Sequence, residues 1–167
     1  AIGVIIVVAL LALGYYYFIH APKVEQSKEA IAKADLELSL GNDSVALQQY
    51  KNVVSDLNTS ESNRAALNAA ILLFQDKKYD EAITYLNKYD AKGEIVGPAS
   101  QSLLGDCYVN LSKYDEALKA FDKAISLSNE NALYTPLFMI KKAVVYREQQ
   151  NFKAEAEIYE TIKTKYP

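Results

Sequence analysis

The stretch 104–124, Leu-Gly-Asp-Cys-Tyr-Val-Asn-Leu-Ser-Lys-Tyr-Asp-Glu-Ala-Leu-Lys-Ala-Phe-Asp-Lys-Ala, decides the fold. Gly105, Ala117 and Ala124 are small, while Tyr108, Tyr114 and Phe121 are large and aromatic, at spacings of three to four or multiples of them. That period belongs to helices. Two antiparallel helices approach closely only where one presents Gly or Ala to the other, and aromatics then fill the gaps between successive pairs. The motif recurs: Tyr79-Asp80-Glu81-Ala82 lies 35 residues before Tyr114-Asp115-Glu116-Ala117. Self-similarity at such a period is the mark of a repeat architecture.

In these residues the chain resembles the tetratricopeptide repeats, whose period is about 34. Leu104, Gly105 and Tyr108 fall on the first helix of such a repeat, Tyr114 at the turn, and Ala117, Phe121 and Ala124 on the second helix. The preceding repeat supplies Ala70, Tyr79, Ala82 and Leu86, but has Leu73 for the first-helix aromatic and Tyr89 where a small residue belongs. Further back, Ala34, Gly41, Ala46 and Tyr50 are in register, with Glu37 at the aromatic position. The last repeat offers Ala143, Tyr146, Phe152, Tyr159 and Pro167, with Glu155 at a small-residue position, which implies a local shift in packing. No helix pair of this kind buries its apolar face alone, so stacking is required.

The prolines agree with this register. Pro98 and Pro136 are expected at the first position of a first helix, where the missing N–H is an orphan anyway. The segments between are rich in Ala, Leu, Glu, Lys and Gln, with no strand alternation of useful length. The expected fold is all-α: an N-terminal transmembrane helix followed by a tetratricopeptide-type α-solenoid of about four helical hairpins. Residues 1–21 form the anchor, 22–28 a juxtamembrane linker and 29–167 the repeat domain.

The anchor is read from the absence of charge between Ala1 and Pro22. About 18 to 20 apolar residues at about 1.5 Å each span a hydrocarbon core of roughly 30 Å. Ile2, Val4, Ile5, Val8 and Leu11 supply the apolar body; Tyr15, Tyr16, Tyr17 and Phe18 suit an interfacial aromatic belt, and Pro22 is expected to break the helix just outside. A signal peptide would carry small residues at its cleavage site, where this chain has aromatics. A buried core helix with no polar face would need protein on every side. A cloning remnant is the third alternative. Beyond the anchor Lys23, Lys28 and Lys33 are matched by Glu25, Glu29, Asp35 and Glu37, and this lack of positive excess favours a non-cytoplasmic domain.

Composition excludes several classes. The chain has 167 residues and a net charge of −3, which leaves no basic footprint for nucleic acid. A single Cys107 cannot form an internal disulfide. The only histidine, His20, stands at the membrane edge, and Cys107 has no histidine to activate it, so it reads as a buried thiol. No zinc spacing, phosphate-cradling turn or nucleophile elbow is present. The pairs Asp80-Glu81 and Asp115-Glu116 recur early in the second helix, where the macrodipole favours acids, and are structural. Neither a catalytic site, a metal, a cofactor nor a small-molecule substrate is expected.

The remaining candidate is the concave face, lined in such repeats by first-helix side chains: Leu67, Ile71 and Phe74, then Ser102, Asp106 and Val109, then Ile140, Val144 and Arg147. Repeats that grip a C-terminal carboxylate need Lys and Asn there. Ile31, Leu67, Ser102 and Ile140 stand at the equivalent position, so that clamp is absent. Either this apolar groove binds polypeptide or a partner subunit, or several of these side chains face the solenoid's own core.

An N-terminal anchor followed at once by an acidic, degenerate repeat array resembles the YfgM family of single-pass bacterial inner-membrane proteins. That resemblance implies a periplasmic domain serving as an ancillary subunit of the SecYEG translocon, with a PpiD-type membrane-anchored chaperone as partner and the lipid bilayer around the anchor. Two rival readings are an envelope or cell-division scaffold that associates with itself through the groove, and a regulator of an enzyme facing the cytoplasm.

Overall fold

The computed structural model describes residues 2–57 and 59–166. Ala1, assigned above to the anchor, and Pro167, assigned to a repeat end, lie outside the described residues, as does the side chain of Ile2. Among the described residues the fold is all-α: α1 (Ile2–Tyr15), α2 (Ala21–Ser39), α3 (Asp43–Asp56), α4 (Ser60–Gln75), α5 (Tyr79–Leu86), α6 (Val96–Asn110), α7 (Tyr114–Leu127), α8 (Tyr134–Glu148) and α9 (Phe152–Lys165). In chain order α2 packs with α3, α6 with α7 and α8 with α9 as hairpins, and α4 and α5 follow one another between them. The chain divides into two compact units, one up to Leu72 and the other from Leu73.

In the first unit Pro22 does not break the helix, contrary to expectation. The helix runs through it from Gly3 to Ser39, 37 residues. Between α1 and α2 the residues Tyr16–His20 form a π-turn, closed by the Ala21 N–H donating to the Tyr16 carbonyl five residues back. The wider turn takes up the ring that would collide with the preceding turn of an ordinary α-helix. Residues 22–28 are therefore the opening turns of α2. Within them Ser27 is fully buried, its hydroxyl donating to the Lys23 carbonyl at 2.8 Å and accepting from Thr59 Oγ1 at 2.8 Å.

Ile31 and Ala34 of α2 pack with Ala46, Tyr50 and Val53 of α3 in the core of this unit. Ala65, Ala66, Ala69 and Ala70 give α4 a face with almost no side-chain bulk, all at 1% exposure or less. The turn from α2 to α3 is a left-handed cap: Gly41 has φ of 79°, its N–H donates to the Leu38 carbonyl at 3.0 Å, and the Asn42 N–H donates to Glu37 at 2.9 Å. These two bonds satisfy carbonyls that the helix end leaves orphaned.

The second unit repeats that cap three times. Lys77, Ser112 and Gln150 have φ of 61°, 56° and 58°, and the residue after each donates to the carbonyl five back, Leu73, Tyr108 and Tyr146. Helices α5, α7 and α9 then start on aromatics, Tyr79, Tyr114 and Phe152. The core around α6 and α7 holds Ala117, Phe121 and Val145, with Tyr108, Val109, Tyr114 and Leu118 packed against it.

Two expectations change in this unit. Pro98 and Pro136 both occupy the third helical position, of α6 and α8, and not the first. The reason they fit is unchanged, since the third N–H of a helix also lacks an intrahelical acceptor. Helix α5 stops at Leu86 after 8 residues, so half-buried Tyr89 falls beyond it. A large ring at a position meant for close helix contact coincides with the end of that helix.

Candidate interaction surface

The first helix of each hairpin presents a face to whatever follows it along the array, and charge decides how much of that face stays open. In the first unit Asp35 on α2 accepts from the Tyr50 hydroxyl at 2.5 Å and from the Arg64 guanidinium of α4. Burial together with the Asp35 carboxylate pushes the Tyr50 phenol up to about 12. Three helices are thereby tied by one carboxylate. Of the groove residues in this unit, Leu67 is half-buried and Ile71 is exposed.

In the second unit the same first-helix register is used in the same way at Asp106, which accepts from Lys141 Nζ of α8 at 2.5 Å. Burial raises the Asp106 carboxyl above its ordinary value, and Lys141 pulls it back part of the way. Ser102, one turn earlier, is 3% exposed, and its hydroxyl is buried without a hydrogen-bond partner. Val109 packs on the core around Phe121. Phe74 is half-buried with its ring edge-on to Tyr79, centroids 5.5 Å apart.

Arg147 is also committed. Its Nε donates to Glu155 Oε1 at 2.7 Å, and its Nη2 reaches the same oxygen. Glu155 is the acid that stands where a small residue was expected. It is buried, and the guanidinium compensates the charge in place. Ile140 and Val144, by contrast, are open, at 39% and 38% exposure. Of the nine groove residues, then, Ile71, Ile140 and Val144 are open aliphatics, while Ser102, Asp106 and Arg147 are enclosed or paired. Sequence reasoning missed Asp35, Arg64 and Lys141; the available signal was opposite charge recurring about one repeat apart.

The recurring acids Asp80 and Asp115 accept side-chain bonds from the following turn, from Lys113 Nζ at 3.2 Å and Gln149 Nε2 at 3.3 Å. Both are exposed, and such bonds contribute little. A cleft of about 440 Å³ lies between α2 and α3, where Glu29, Lys33, Gln49 and Asp56 stand beside apolar Ala30, Val53 and Leu57. Among the described residues no three His, Cys, Asp or Glu side chains assemble as a metal site.

Of the anchor residues, Val4, Ile5, Val8 and Leu11 are 60–69% exposed, and Tyr15, Tyr16, Tyr17 and Phe18 are 51–85% exposed. Every large side chain described from Val4 to Leu13 is more than half open. The Tyr16 and Tyr17 rings meet edge-on at 5.3 Å in the π-turn.

Residues 41–124 match the family described as "Anaphase-promoting complex, cyclosome, subunit 3", and residues 102–167 match "Tetratricopeptide repeat". Among solved structures, a MamA protein is 21% identical with a TM-score of 0.68, covering 83% of this chain and 73% of its own. The MamA of Desulfovibrio magneticus is 17% identical with a TM-score of 0.65, at 83% and 74% coverage. Kinesin light chain repeats from Podosopora anserina are 14% identical with a TM-score of 0.65 at the same coverage. Likeness at such identities speaks for the fold alone. No curated protein sequence matches the chain.

Proposed function

The chain belongs to the tetratricopeptide-repeat family, and from that we propose that it holds other proteins beside a bacterial inner membrane. Tetratricopeptide repeats make it a protein–protein interaction module. The finer reading is an ancillary periplasmic subunit of the SecYEG translocon, with α1 in the bilayer and the repeats meeting a PpiD-type chaperone or emerging polypeptide.

One observation carries the reading. A helix apolar on all sides, with its large side chains open, continues without a break into the first repeat. Leaving a Val, Leu or Ile side chain in water forgoes about 1.5–3 kcal/mol each, so a row of them calls for a cover, and apolar residues all round suit lipid. After the anchor Lys23, Lys28 and Lys33 are matched by Glu25, Glu29, Asp35 and Glu37, a balance that supports the periplasmic reading. The translocon itself rests on the architectural resemblance to the YfgM family.

The test is affinity capture of the intact chain from gently solubilised inner membranes. Recovery of translocon and chaperone subunits is expected, together with degradation of the repeats by protease added from the periplasmic side. A chain that resists such protease, or that copurifies with neither, overturns the translocon reading.

A further inference from the structure

The helix that enters the bilayer and the helix that opens the first hairpin are one body. From Gly3 to Ser39 it has 37 residues, an ideal length of about 55 Å, of which a hydrocarbon core takes up roughly 30 Å. The remainder carries the first hairpin. The residues that bound the joint are helical: Tyr15, His20 and Ala21 have φ of −56°, −74° and −61° with ψ of −47°, −51° and −43°. Across the joint the π-turn keeps the hydrogen-bond ladder closed, through the Ala21 N–H and the Tyr16 carbonyl. Pro22 follows with its φ already fixed near the helical value, which stiffens the chain where a run of Gly or Ser would free it.

The outer part of this helix is also held sideways, at two heights. Low on α2, Ser27 is fully buried and accepts from Thr59 Oγ1 of the α3–α4 turn at 2.8 Å. Higher up, Asp35 accepts from the Tyr50 hydroxyl of α3 and the Arg64 guanidinium of α4. Two ties about 12 Å apart along the axis leave α2 no pivot against α3 and α4. A helix that resists bending at its joint and cannot turn against its neighbours transmits the position of one end to the other.

Because α3 returns antiparallel to α2, the α3–α4 turn faces the bilayer and the α2–α3 turn faces away from it. Phe18, 85% exposed, is the last ring of the aromatic run. Measured from it along the axis, Ser27 lies about 14 Å up and Ser39 about 32 Å up.

We propose that α1 and α2 form a rigid standard, which holds the first hairpin at a fixed height and rotation over the bilayer with its α3–α4 turn towards the lipid headgroups. The proposal rests on the bilayer reading of α1 given above. It confines the partner of this unit to a protein held on the same membrane, or a chain leaving it, within about 32 Å of the aromatic belt.

The experiment uses the intact chain, reconstituted singly into lipid nanodiscs, with nitroxide labels on Leu11→Cys and Leu36→Cys, exposed positions of α1 and α2. Cys107→Ala removes the remaining thiol. Pulsed dipolar spectroscopy is expected to give one narrow distance near about 38 Å, and a Gly-Ser-Gly-Ser insertion between His20 and Ala21 to broaden it. Gadolinium chelates on the lipid headgroups report the height. At heights of about 14 and 30 Å, relaxation of a label on Ser60→Cys should exceed that on Asp43→Cys by about tenfold or more; both positions are exposed. A broad distribution centred below about 30 Å, or equal relaxation at the two positions, in a chain that has entered the discs overturns the proposal alone. A chain that stays out of the discs overturns the bilayer reading on which it rests.

Discussion

A Cβ added at Gly105 would stand 2.6–2.8 Å from the ring of Phe121, which is itself 1% exposed. The α6–α7 hairpin closes at this point: the ring lies flush on a helix backbone with no room for a methyl group. Gly105→Ala gains about 1 kcal/mol in helix propensity but overpacks a site where neither helix can retreat, at about 1–3 kcal/mol. The expected net effect in urea denaturation is destabilisation. Combining it with Phe121→Leu restores part of the loss, because the two sites share one space.

The four left-handed caps separate backbone strain from packing. Ser112 sits at φ of 56° with an exposed side chain, in the same hydrogen-bond pattern as Gly41. Ser112→Gly is expected to stabilise the chain by about 1 kcal/mol, and Gly41→Ala, whose Cβ meets nothing within 4 Å, to destabilise it by about as much. Midpoints of chemical denaturation distinguish the signs.

Arg147 and Glu155 form a pair in which the acid is buried and the base is half open. Arg147→Ala leaves the buried Glu155 carboxylate uncompensated and is expected to lower the denaturation midpoint. Glu155→Ala restores the small residue of the other hairpins and comes out close to neutral. A double-mutant cycle should show strong coupling; additive effects would contradict the pairing.

Burial, with the neighbouring Asp106 carboxylate adding to it, pushes the Cys107 thiol up to about 12 from 9.0. Between those values the unfolded chain releases a proton that the folded chain keeps, so rising pH favours unfolding. Stability should therefore decline from about pH 9 upward, and Cys107→Ala should flatten part of that limb. The folded protein should also react with thiol reagents at pH 8 far more slowly than the unfolded one.

How much of the surface was legible in the sequence differs residue by residue. Ile140 and Val144 are open, but Asp106 and Arg147, placed in the same groove, are held by Lys141 and Glu155. A helical period says which residues share a face; it is silent on what the neighbouring helix presents to that face.

By itself the sequence determined the helical class, the hairpins and the apolar N-terminal helix, because small and aromatic residues at a fixed period, and a row without charge, act through local spacing. Only the tertiary structure decided that Pro22 is carried inside a continuous helix by a π-turn, that Glu155 can occupy a small residue's place, and which first-helix side chains remain open. Each of those depends on a partner several or many residues away, whose position becomes defined only when the helices pack.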